Sequence, residues 1–128
     1  MERTALIVTD GAESSQIIAE AIEAALKQCK VVSVTAGDFE GTQLLSADLC
    51  FFGVEKPKPP SFSYLDNLLQ HINLANRPCG IFSSSQKAAD YLRGMVHDSE
   101  LALYPDPFLG EGDIKIWTEK VVSGASSS

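Results

Sequence analysis

The stretch TALIVTDGAESSQIIAEAIEAALK, residues 4–27, changes periodicity halfway along, and that change decides the architecture. Residues 4–9 form a short apolar run with β-branched side chains that stops at Asp10-Gly11, a turn signal, so they read as a buried strand. From Ser14 onward Ile17, Ile18, Ala21, Ile22, Ala25 and Leu26 recur at helical spacing, with Glu20, Glu23 and Lys27 between them. A helix with that stripe facing inward is expected to follow the strand.

The alternation then repeats along the chain. KVVSV (30–34) is a strand candidate, GTQLLSA (41–47) a short helical crossover and DLCFFGV (48–54) the most continuously apolar strand. EKPKPPS (55–61) cannot continue a ladder or a helix and reads as a loop. Phe62, Leu65, Leu68, Leu69 and Ile72 form the next apolar stripe, with Ser63 and Asp66 offering a capping-box-like start. RPCGIFS (77–83) is a fourth strand, SSQKAADYLRGMV (84–96) the helix behind it, and ELALYP (100–105) a fifth strand. A last helix begins near Asp113 with Ile114, Trp117 and Val121 on one face, and the small polar tail 123–128 is expected to be disordered. Five strands alternating with helices imply a single α/β domain over residues 1–122: a three-layer α/β/α sandwich around a parallel sheet. In such sheets ligands sit beyond the carboxyl ends of the strands, which selects the loops 9–15, 54–61, 83–86 and 104–112.

Composition narrows the function. The chain has 128 residues and a formal charge of −7, so nucleic acid and anionic membranes, which need a basic surface, are disfavoured as partners. The start MERTALIV lacks a signal-peptide pattern, and the expected location is cytoplasmic. Cys29, Cys50 and Cys79 form no CxxC pair, and with two histidines a structural zinc site is not expected. No GxSxG elbow is present, and His97, Asp98 and Ser99 are adjacent in sequence, an arrangement unsuited to a triad.

Three segments taken together, LIVTDGAESSQIIAEAI, ADLCFFGVEKP and GIFSSSQKAADYL, resemble the flavodoxins in order and spacing, over roughly residues 4–122. The resemblance implies the strand order 2-1-3-4-5 and an FMN-binding electron carrier with a redox partner protein, in which no side chain need be catalytic; the charge of −7 suits a partner with a basic face, or serves solubility. In that family the first loop reads close to S/TxTGxT and cradles the FMN phosphate. Alignment of the following helix puts Ser15 on the last threonine, with Ser14 before it. Ala12 and Glu13 then fall on the middle threonine and the glycine, and Asp10 on the first hydroxyl. The resemblance thus implies a phosphate site from Thr9, Asp10, Gly11, Ala12, Glu13, Ser14 and Ser15, with the hydroxyls of Thr9, Ser14 and Ser15 as ligands. It also implies that Gly53 and Val54 open the second loop, where Glu55 replaces the proline of a GxPTY-like pattern, that Tyr64 stacks on the flavin, and that Ser83, Ser84 and Ser85 edge its ring.

Against phosphate binding stand two carboxylates. Each of Asp10 and Glu13 would cost an anion about 1–3 kcal/mol if held within about 6 Å of it. Atypical, weak FMN binding is therefore the expectation. Ser14 or Ser15 can instead serve as an N-cap, as can Ser84 or Ser85. The competing reading is a flavin-free domain on the same scaffold that binds a protein or another small ligand. A phosphoreceiver shares the plan, and Asp10 fits its acidic pocket, but the third strand ends FFGVEK, without the phosphoacceptor aspartate.

Overall fold

A computed structural model describes residues 3–27, 29–74, 77–110 and 112–124. Five parallel strands, β1 (Arg3–Thr9), β2 (Cys29–Thr35), β3 (Leu49–Val54), β4 (Pro78–Ser83) and β5 (Ala102–Leu103), form one sheet in the order β2-β1-β3-β4-β5. This is the expected flavodoxin-like order. Helices α1 (Glu13–Ala25), α2 (Gly41–Ser46), α3 (Ser63–Leu69), α4 (Gln86–Val96) and α5 (Ile114–Gly124) connect and cover them. A 3-10 turn, Pro60–Phe62, leads into α3, and another, His97–Ser99, ends α4.

Strand alternation divides the core into two layers. Leu6, Val8, Cys50, Phe52, Val54, Cys79 and Ile81 face α2, α3 and α4 through Leu44, Leu65, Leu69, Ala88 and Leu92. Ala5, Ile7, Leu49, Phe51 and Phe82 face α1 and α5 through Ala19, Ile22, Trp117 and Val121. Trp117 packs between Phe51 and Phe108 and donates its indole N–H to Asp106 O at 2.7 Å.

Several local expectations shift. In α1 the buried positions are Ser15, Ala19 and Ile22, and Ile17 is 61% exposed, so the helix is rotated from the expected stripe. Small Ala19 lets α1 lie close to the sheet, whereas Ile17 falls on the far side of that line. Asp66 does not complete a capping box for α3; it accepts from Gln70 Nε2 at 3.0 Å and from the Tyr91 hydroxyl at 3.4 Å. β5 is only two residues long because Glu100, at φ 63°, ends the preceding turn in the left-handed region and delays the ladder. The edge resumes at Phe108, whose N–H reaches Ile81 O and whose carbonyl accepts from Ser83 N. α5 continues through Gly124, past the expected domain end at 122, while the rest of the expected tail, 125–128, lies outside the described residues.

Arg77 closes the carboxyl end of α2. Its Nη1 donates to Leu44 O, Leu45 O and Ala47 O at 3.3, 3.1 and 2.9 Å. So short a helix cannot hold itself, and its last carbonyls need donors. Arg77→Met keeps the stem and removes the donors; it is expected to cost about 1–2 kcal/mol in urea unfolding.

Candidate functional site at the carboxyl ends of β1, β3 and β4

β1 delivers the chain to a tight turn at Asp10 and Gly11, where φ of +83° favours glycine. Thr9 is fully buried, and its hydroxyl is consumed locally, donating to Gln16 Oε1 at 2.8 Å and accepting from Gly11 N at 3.2 Å. α1 then starts at Glu13 with Ala12 as its N-cap residue, which has no side chain able to cap. The first backbone bond of the helix runs from Gln16 N to Ala12 O, so the N–H groups of Glu13, Ser14 and Ser15 precede the ladder. The other two long helices are closed differently. Ser85 Oγ caps α4 through Ala88 N at 3.2 Å, and Asp113 Oδ1 caps α5 through Lys115 N and Ile116 N.

Neither Ser14 nor Ser15 is an N-cap; both belong to the first turn. Their Oγ atoms are buried without a hydrogen-bond partner, and Ser15 is only 2% exposed. A buried hydroxyl left unpaired costs about 1–3 kcal/mol, so two of them side by side at an open helix start need a reason. An anion seated on those amides would supply acceptors for both.

The two acids behave differently. Glu13 is exposed in the first turn of α1, a favourable position against the helix dipole. Asp10 is engaged with protein. Its Oδ1 accepts from Ala12 N at 3.1 Å and its Oδ2 from Glu55 N at 2.8 Å, while its own N–H donates to Gly53 O at 3.2 Å. Glu55 in turn accepts from Ser84 Oγ at 3.1 Å through its carbonyl. One residue of the β3 loop, through its N–H and its C=O, thus ties the β1 and β4 loops together. Glu55 stands where the family pattern has proline, and a proline has no N–H to give Asp10. The two departures from that pattern are therefore one structural unit, which spacing alone did not reveal.

At the far side of the site the serines are largely satisfied. Ser83 Oγ donates to Ser85 O at 2.8 Å and accepts from Ser85 N at 2.9 Å, and Ser85 is the cap of α4. Val54 is buried against the α2–α4 layer. The space in front of Gly53 is filled by the Phe82 ring, its cross-strand neighbour, so this glycine makes room for a core side chain. Tyr64 is 54% exposed and leans on Phe39, with ring centroids 5.8 Å apart. Phe39 follows β2, which lies three strands from β4, roughly 14 Å at ordinary strand spacing. The structure thus brings Thr9 to Ser15, Gly53, Val54 and Ser83 to Ser85 to one end of the sheet, and sets Tyr64 toward the β2 side.

Burial pushes the Cys50 thiol up to about 12, with Arg77 pulling the other way, and burial holds Cys79 well above the usual thiol range, so neither is a nucleophile. Burial, then the charge and hydrogen bond of Asp66, raise Tyr91 to about 12. A folded-state value above the unfolded one means that stability from Tyr91 is complete below about pH 10 and is lost as pH rises toward 12. Tyr91→Phe is expected to flatten the alkaline arm of a stability–pH profile and leave neutral pH little changed.

No family model matches the sequence, and no curated protein sequence is significantly similar to it. Solved structures are. A short-chain flavodoxin associated with a non-canonical PDU bacterial microcompartment superposes with TM-score 0.79 at 16% identity, covering 98% of this chain and 99% of that one. A Fusobacterium nucleatum flavodoxin mutant bound to flavin mononucleotide gives 0.68 at 10% identity, over 100% and 95%. The receiver domain of nitrogen regulatory protein C gives 0.54 at 14% identity, over 98% and 95%. At such identities these likenesses show the fold, which flavin carriers and flavin-free receivers share.

Proposed function

We propose that this domain binds the phosphate of a flavin mononucleotide at the start of α1, weakly, and acts as an electron carrier. The observation that carries the reading is the pair of unpartnered buried hydroxyls, Ser14 and Ser15, in the first turn of α1, which among the described residues has no side-chain cap. Its partial positive end suits a dianion. The FMN-bound structural neighbour lends support to this ligand. The residues present fit the phosphate end: Ser14, Ser15 and the amides of Glu13 to Ser15 would hold it. The isoalloxazine would supply the redox chemistry, tuned by the surrounding negative charge of a chain at −7. The ring end is less provided for, since Tyr64 lies on Phe39 and Ser83 and Ser85 bond one another. Weak binding follows from that and from the Asp10 charge.

A second reading, a flavin-free interaction domain, is favoured by the bonds that join Asp10, Glu55 and Ser84 across the three loops and occupy their polar atoms with one another. Ser15→Ala separates the two. Under phosphate binding it weakens FMN at least fivefold, followed by flavin fluorescence, while ligand-free stability stays level or rises by about 1 kcal/mol because an unpaired hydroxyl is gone. Protein whose signal ignores millimolar FMN in both forms would establish the flavin-free reading.

A further inference from the structure

At the opposite end of the sheet, the first residues of β1 and β2 and parts of α1 and α5 line an open cleft of about 440 Å³. That size lies in the range of about 300–1,000 Å³ typical of small-molecule sites. Leu26, Cys29 and Val122 give it apolar walls, and Arg3, Lys27 and Lys115 bring three cations from three different elements. None of the three side chains has an ion pair or hydrogen bond among the described residues. In a chain with only 10 cations and a charge of −7, such a grouping is uneven.

Two negative features face these cations. The carboxyl end of α1, which closes at Leu26, carries about half a negative charge, and Glu119 on the cleft lining carries one. Together they leave a surplus of roughly one and a half positive charges over apolar walls. The helix end accounts for Lys27, which follows it; it does not require Arg3 from β1 and Lys115 from α5 as well.

We propose that this cleft binds a small organic anion with an apolar body, of the medium-chain carboxylate class, its head group answered by Arg3, Lys27 and Lys115 and its hydrocarbon lying on Leu26, Cys29 and Val122. The site lies at the other end of the strands from the α1 start, so it stands or falls independently of flavin binding.

Cys29 is a local reporter of occupancy, because it is half-buried in the cleft wall while Cys50 and Cys79 are fully buried. The rate of Cys29 carbamidomethylation by iodoacetamide, read by mass spectrometry, is expected to fall at least fivefold in sub-micellar decanoate and to be unchanged by decanol. Lys115→Glu, and separately Arg3→Ser with Lys27→Ser, all at exposed positions, should abolish protection with the far-UV spectrum intact. Unprotected Cys29 in decanoate, equal protection by decanol, or full protection in the charge variants would each overturn the proposal.

Discussion

Gly53→Ala is expected to lower stability by about 3 kcal/mol, the upper part of the range for overpacking a filled core. A methyl at this position lands on the Phe82 ring, which is fully buried in the layer it shares with Phe51, Phe108 and Trp117 under α1 and α5. For a chain of this size the loss should appear as a fall of about 10 °C in melting temperature, followed by circular dichroism. Gly53→Ala combined with Phe82→Leu should recover part of it, because the smaller side chain vacates the methyl's space. The resemblance to flavodoxins assigned Gly53 to the cofactor loop. A variant that kept its melting temperature and lost only FMN affinity would restore that role and refute the packing one.

Asp10→Ser should move two quantities in opposite directions. Losing a carboxylate that accepts from Ala12 N and Glu55 N removes charge-assisted bonds linking the β1 and β3 loops, an expected cost of about 1–3 kcal/mol. Under the proposed FMN binding, removing a negative charge beside the α1 start should tighten FMN by roughly tenfold, from about 1–3 kcal/mol of relieved repulsion partly offset by the loosened loop. Glu55→Pro, which deletes the donor, should cost much less in the Asp10→Ser background than in the native chain, since the bond is already gone. Additive stability losses would show that Asp10 and Glu55 act separately. Unchanged FMN affinity in Asp10→Ser would remove the electrostatic account of weak binding.

Such trade-offs between stability and binding are common at functional sites. Here two opposing features meet. Ser14 and Ser15 keep unpaired hydroxyls inside the protein, and Asp10 spends its charge on protein amides. The first feature favours an anion and the second discourages one, so affinity depends on a difference between terms of similar size.

What the sequence determined by itself was the scaffold. Each strand announces itself by a short apolar run and each helix by a change of period, as in residues 4–27, and right-handed crossovers leave few ways to stack the alternation. Phe62 and Trp117 as core residues, and a cap at Ser84 or Ser85, were legible for the same reason: periodicity and turn chemistry depend on near neighbours in the chain. The site was only half legible. Which atoms Asp10 meets depends on Glu55, 45 residues away; why Gly53 is a glycine depends on Phe82, and where Tyr64 rests depends on Phe39. Those partners come together only when β1, β3 and β4 align in register, and a hydrogen bond or a steric contact acts over a few ångströms of space, for which distance along the chain is no guide.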